Sequence, residues 1–148
     1  RKSKDAVAET IANNVRATII KSHLTDPAYY DRMSALLTEV IAKLRDKAIA
    51  YEDYLRQIAE IARQVRDGSG TGLPPTLDTA GKRALYNNLG ADETRSLAVH
   101  AAILAIRKAD WRGNPAKERE IKGAINRILK DKDEVERIFA VVRQQGEY

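Results

Sequence analysis

Cysteine is absent from this chain of 148 residues, which excludes disulfide bonds and metal sites built on thiolates. Aromatic residues make up only 5% of the sequence, with a single tryptophan. The longest apolar stretch covers residues 97–106 and is interrupted by His100, so it is too short to cross a bilayer. No signal-peptide pattern opens the chain. These absences argue against a membrane partner and permit a reducing compartment, and we expect a cytoplasmic protein.

Catalytic motifs are also lacking. The chain has no glycine-rich phosphate loop followed by Lys and Ser or Thr, no HExxH pair and no serine elbow flanked by glycines. His23 and His100 belong to no ligand-spaced cluster; we expect His100 to be a hydrogen-bonded core residue and His23 to end a helix. Carboxylates that are adjacent or two apart, such as Glu118 and Glu120, do not share a helix face. The sequence therefore predicts no catalytic, cofactor-binding or metal-binding residue.

The fold predicted from the sequence is a single all-α domain of about six helices, because no stretch alternates as a strand and 32% of residues are charged. Residues 68–78 hold three glycines and two prolines and form a linker, with Gly68 as a left-handed helix cap. The linker divides a two-helix part, residues 1–67, from a part of smaller helices, residues 79–148. The missing initiator methionine suggests a piece of a longer protein.

The most regular pattern is an apolar seam between residues 27 and 67. Its steps of three and four residues, with one four-residue stutter, are typical of a helix packed along other helices. We therefore predict one helix of about 40 residues and about 60 Å. The seam consists of Tyr30, Met33, Leu37, Val40, Leu44, Ala48, Tyr51, Leu55, Ile58, Ala62 and Val65.

The second part contains a stretch, residues 97–106, that is apolar on every side of a helix. A helix of this kind is normally buried. We therefore expect it to be the core of the C-terminal part, flanked by helices over residues 79–89, 114–130 and 131–145.

Positive charge is concentrated in residues 107–130, which carry eight cations and three anions. Such a local excess favours an anionic partner more than the net charge of +5 does. On a helical wheel, four polar residues of the basic helix lie within roughly 80°, away from its apolar side. The candidate contacts with phosphates, DNA or a partner are Arg112, Lys117, Arg119, Lys122, Asn126 and Lys130. The alternative interpretation is an ordinary solvated helix face.

Three aromatic side chains, Tyr29, Tyr54 and Trp111, have two interpretations. Tyrosine and tryptophan are enriched in protein interfaces, so they are candidates for exposed partner contacts. The alternative is that they are packing anchors inside the domain.

Five segments in order resemble the C-terminal helical domain of the R subunit of type I restriction enzymes. They are residues 13–20 (NNVRATII), 29–34 (YYDRMS), 51–55 (YEDYL), 82–89 (KRALYNNL) and 111–114 (WRGN). The resemblance extends from about residue 5 to about residue 145. It implies a parent subunit with a nuclease domain and two ATP-hydrolysing, DNA-translocating motor domains, for which ATP and Mg are the cofactors.

In that family the helical domain is thought to help dock the R subunit onto the methyltransferase core, formed by the M and S subunits. The implied partners are therefore that core, the rest of the R subunit and, as a further candidate, DNA. None of the family's nuclease or ATPase motifs lies in this chain, so no catalytic residue is carried over. Two alternatives stay open: a DNA-binding or nucleotide-binding basic face, and a coiled coil that self-associates through the seam.

Overall fold

The structure is a computed structural model that describes residues 4–70 and 72–148, apart from the side chain of Asp5. Residues 1–3, where the missing methionine suggested a longer parent, and Thr71 of the linker lie outside the described residues. The described part holds seven α-helices, one 3-10 turn (His23–Thr25) and no strand, which confirms the all-α prediction. The helices are α1 (Lys4–Ser22), α2 (Pro27–Arg45), α3 (Tyr51–Asp67), α4 (Ala80–Asn88), α5 (Glu93–Ile106), α6 (Pro115–Leu129) and α7 (Lys132–Arg143).

The single long helix predicted over residues 27–67 is wrong, because the chain forms two helices there. α2 ends at Arg45 and α3 begins at Tyr51, and the longest helices described, α1 and α2, have 19 residues each. The Tyr29 hydroxyl donates to the backbone carbonyl of Gln64 at 2.8 Å, although the two residues are 35 positions apart. One continuous helix would separate them by about 50 Å. α2 and α3 therefore form an antiparallel hairpin.

The turn between them is a Schellman-type helix end built on a lysine. Lys47 adopts a left-handed backbone, with φ of 57°, and the N–H of Ala48 donates to the carbonyl of Lys43 at 2.8 Å. Such a turn satisfies carbonyls at the end of a helix. It also lets both halves of the apolar seam bury in one core, which a straight rod could not do. The heptad spacing survives because each half of the hairpin needs an apolar stripe.

Replacing Lys47 by glycine is expected to raise the free energy of unfolding by about 1 kcal/mol, because a left-handed residue with a Cβ is strained. The same change in the middle of a continuous helix would lower it by about 1 kcal/mol. Urea unfolding of the variant measures the sign directly. Ala35→Gly, at an exposed position within α2, is the matched control and should be destabilising. A destabilised Lys47→Gly variant would contradict the hairpin.

Contacts divide the chain into two compact units, and each is described by itself. Unit 1 contains residues 4–23 and 29–70, and unit 2 contains residues 24–28 and 72–148. In unit 1, α1 packs on α3, and the buried Tyr54 hydroxyl donates to the backbone carbonyl of Ala8 at 3.0 Å. Its helices share one core, made of Ala8, Ala12, Val15, Ile19, Tyr29, Tyr30, Met33, Leu37, Val40, Tyr54, Ile58, Ile61 and Val65.

Unit 2 consists of four helices whose beginnings are set by local sequence. A polar side chain before each helix accepts a hydrogen bond from a backbone N–H in the first turn; these residues are Thr79, Asp92, Asn114 and Asp131. Each cap pairs with an otherwise unsatisfied amide. α5 packs on α4 and α6, and α7 packs on α4 and α6. Among the described residues, no helix has both the length and the apolar character that crossing a membrane requires.

Candidate functional site

Arg112, predicted as a phosphate contact, is instead committed to the backbone of the C-terminal segment. Its guanidinium donates to the carbonyls of Arg143 at 2.9 Å, Tyr148 at 3.3 Å and Gln145. The same group lies 4.4 Å from the ring centroid of Trp111. Four contacts of this kind hold a side chain in place and leave it few donors for a ligand. Arg112 is therefore a structural residue.

Lys117 and Lys122 also have partners within unit 2. The Lys117 ammonium donates to the backbone carbonyl of Ala109 at 2.8 Å. The Lys122 ammonium lies 3.1 Å from the Glu136 carboxylate and 4.8 Å from the ring centroid of Phe139. Lys117 is held by a backbone carbonyl, and the charge of Lys122 is balanced by a carboxylate. The basic surface is therefore smaller than the sequence predicted.

The remaining predicted residues, Arg119, Asn126 and Lys130, lie together on the outward side of α6 and its C-cap and are all exposed. Arg127, which the wheel analysis left outside its sector, is exposed beside them because the solvent-facing arc is wider than the predicted one. Within residues 4–70 and 72–148, no ion pair is formed by Arg119, Arg127 or Lys130. We call Arg119, Asn126, Arg127 and Lys130 the α6 basic face.

The acidic residues of α6 do not neutralise this face. Glu118 accepts a hydrogen bond from the backbone N–H of Gly113 at 2.8 Å, and Glu120 lies 3.0 Å from the Lys108 ammonium. Between the cations, Gly123 has nothing within 4 Å of the position that a Cβ would take. A helix surface with unpaired cations and a small residue at its centre permits close approach of a polyanion.

The three aromatic side chains predicted as exposed interface contacts are buried, so that prediction is wrong. Tyr29 and Tyr54 are 1% exposed and Trp111 is 3% exposed. Each packs within its own unit; Trp111 contacts Phe139 with ring centroids 5.7 Å apart. These residues are packing anchors, because their large apolar rings fill the cores of two small helical units.

α5, predicted to be buried on every side, is buried along one stripe only. Ser96, Val99 and Ile103 are buried, and Leu104 is 43% exposed. The opposite side is exposed and carries no charge over a length of eight residues. We call this surface the α5 outer face; it consists of Ala98, Ala101, Leu104 and Ala105. The prediction fails because unit 2 places helices on only part of the circumference of α5.

The histidines serve local structure. His100 is half-buried, and its Nδ1 lies 2.5 Å from the Tyr148 hydroxyl. Burial lowers the pKa of His100, with the Lys82 charge acting in the same direction, and burial raises the pKa of Tyr148. A neutral imidazole therefore faces a protonated hydroxyl that can donate to it. His23 lies just after α1, with Nε2 2.8 Å from Asp31.

Metal-ligating side chains do not gather anywhere in the described part of the chain, since no group of three or more His, Cys, Asp or Glu that could hold a metal ion is found there.

Comparisons of the chain with models of protein families, with curated proteins and with solved structures find no match. Unit 2 offers two surfaces for partner contact, the α5 outer face and the α6 basic face.

Proposed function

We propose that this chain is a non-catalytic helical assembly module that docks a DNA-translocating restriction subunit onto its methyltransferase core. The observation that carries the proposal is the α5 outer face. A helix without charge from Ser96 to Ile106 would be expected to lie in a core, yet four of these eleven residues are exposed in this chain. A protein partner that covers this face would complete the burial that the sequence predicts.

The identity of the partner rests on the resemblance of five segments to the type I R subunit. In that setting the bound proteins are the M and S subunits and the rest of the R subunit, in the cytoplasm, and ATP and Mg act in the motor domains of the parent. A stable dock buries on the order of 1,600 Å² in total. The α5 outer face supplies only the apolar centre of such an interface, and neighbouring polar residues of unit 2 supply its rim.

The test is co-elution of the chain with a purified methyltransferase core at micromolar concentration. We expect a complex, and we expect Leu104→Glu combined with Ala101→Glu to weaken it at least about tenfold, because carboxylates would be desolvated at the centre of the interface. Ile20→Glu combined with Leu36→Glu is the matched control, since these are apolar side chains of unit 1 that are 76% and 38% exposed. The docking proposal is refuted if the unmodified chain elutes separately from the core, or if the two variants weaken binding to the core equally.

A second candidate function, contact with the DNA backbone, is supported by the α6 basic face. Arg119, Arg127 and Lys130 are exposed and unpaired among the described residues, and helix periodicity spreads them over about 16 Å. Such a row suits successive phosphates and carries no base-reading geometry. This surface would lie beside DNA while the α5 outer face holds the protein partner.

Duplex binding is expected to weaken with salt, with a slope of log affinity against log salt of about −3 if all three cations contact phosphates. Replacing Arg119, Arg127 and Lys130 by glutamate should abolish most of that slope. A control with the same charge change at Lys21, Arg66 and Arg95, which are exposed elsewhere, should retain it. Fluorescence anisotropy over a salt series measures both, and equal slopes in the two variants would remove this candidate.

A further inference from the structure

Unit 1 carries an open groove of about 400 Å³ that neither proposed surface uses. Its apolar residues come from all three helices of the unit; they are Ala8 and Ala12 of α1, Ile41 and Leu44 of α2, and Tyr54 of α3. Glu9, Arg16, Arg45 and Lys47 complete the lining and are exposed.

The groove exists because α1 presents small side chains where α2 comes to its end. Ala8 and Ala12 fill little space, and the turn at Lys47 stops α2 before it can cover them. The hydrogen bond from the Tyr54 hydroxyl to the Ala8 carbonyl, at 3.0 Å, fixes the tyrosine as part of the floor. The groove is thus built on three helices whose positions are set by the unit's own core.

Charge distinguishes this groove from an ordinary surface depression. Three of its lining residues are cations and one is an acid, Glu9. Arg16 contacts the neutral side chain of Asn13 at 3.2 Å, and Arg45 lies 4.0 Å from Asp46, so neither is closely neutralised. Lys47 forms no ion pair within the described part of the chain. The rim therefore favours an anionic occupant.

We propose that this groove binds an acidic amphipathic helix of another protein. From Ala8 to Arg16 the α1 wall spans about 12 Å, or two turns, which accommodates apolar anchors spaced i, i+3 and i+7 on a partner helix. Arg16 comes from α1 and Lys47 from the turn after α2, so acidic residues at more than one position of the partner would meet a cation. The open side suits a helix better than a small ligand, which is normally enclosed over most of its surface. This inference uses unit 1 alone and is independent of the function proposed for unit 2.

The experiment uses fluorescence anisotropy of the whole chain with two labelled 16-residue synthetic peptides. Both have the same leucine stripe, flanked by glutamates in one and by lysines in the other. We expect saturable binding of the acidic peptide, at least about tenfold tighter than that of the basic peptide. Replacing the leucines of the acidic peptide by serine should abolish binding.

Charge reversal in the protein locates the site. Arg16→Glu with Arg45→Glu should weaken acidic-peptide binding at least about tenfold, whereas Lys21→Glu with Arg66→Glu, which makes the same change in net charge elsewhere in unit 1, should not. Equal affinity for both peptides, or equal effects of the two double variants, would overturn the proposal. Binding of laurate without binding of the peptide would also overturn it and would indicate a site for small anionic amphiphiles.

Discussion

Replacing Arg112 by alanine is expected to lower the free energy of unfolding by about 2 kcal/mol and to release the C-terminal segment. The guanidinium donates to three backbone carbonyls in residues 143–148 and stacks on Trp111. Hydrogen bonds from a charged donor contribute about 1.5–3 kcal/mol each in buried settings, and less here because Arg112 is partly exposed. The cation also lies at the C-terminal end of α7, where the helix dipole favours positive charge.

Two further variants separate this role from a general effect of charge. Arg112→Lys should recover only part of the stability, because one ammonium cannot contact three carbonyls in a fixed geometry. Arg119→Ala, on the α6 basic face, should change stability by less than about 0.5 kcal/mol. Hydrogen exchange should show faster exchange of the Gln144 and Gln145 amides, which donate to Val141 and Val142. If Arg112→Ala leaves stability unchanged and weakens DNA binding, the structural assignment of Arg112 is wrong.

The helices of unit 2 could be predicted from the sequence nearly to the residue, because their boundaries depend on local chemistry. Asn114 and Asp131 are the expected starts of two helices, and each accepts the capping hydrogen bond there. Gly68, expected as a left-handed cap, has φ of 71° at the end of α3. Signals of this kind involve residues three or four apart, so a sequence contains them in full.

The hairpin of unit 1 could not be predicted in the same way. The turn at Lys47 has neither glycine nor proline, and the apolar period continues through Ala48. The energy that favours the turn comes from burying one half of the seam against the other. That gain depends on a contact such as Tyr29 with Gln64, 35 residues apart. Periodicity shows that a face is apolar but not which surface covers it.

The candidate site shows the same limit for charges. Spacing on a helix correctly placed Arg119, Asn126 and Lys130 on one exposed face. It could not show that Arg112 and Lys117 are held by backbone carbonyls, because an acceptor of that kind has no signature in the sequence. A count of cations in the sequence therefore overestimates the surface that an anionic partner can use. Only cations without a hydrogen-bond partner inside the protein are available to such a ligand.

Unit 2 also contains a buried polar network centred on Asn88. Its Nδ2 donates to the Asp26 carboxylate and to the carbonyl of Ala84, both at 2.7 Å, and its Oδ1 accepts from the N–H of Ala28 at 3.1 Å. Asn87 donates to the other oxygen of Asp26 at 2.8 Å. Asp26 and Asn88 are each 5% exposed, so water cannot replace a lost partner. Networks of this kind are costly when one donor is removed.

Asn88→Asp is expected to lower the free energy of unfolding by about 3 kcal/mol at pH 7. The change keeps the shape of the side chain but turns two donated hydrogen bonds into oxygen–oxygen contacts and adds a second carboxylate to a buried site. One of the two carboxyl groups should then hold a proton at a higher pH than an ordinary carboxyl group. The penalty is thus full above that raised pKa and shrinks as the pH falls through it.

Urea unfolding of Asn88→Asp at pH 7 and pH 4.5, each measured relative to the unmodified chain, should show the smaller difference at the lower pH. Adding Asp26→Asn should restore part of the stability, because an amide then faces the new carboxylate, although the Ala84 carbonyl stays without its donor. Asn14→Asp on the exposed side of α1 is the matched control and should cost less than about 0.5 kcal/mol. Equal costs for the two single variants would mean that the network around Asn88 does not stabilise unit 2. A penalty that grows on acidification would instead mean that the two carboxyl groups do not share the site.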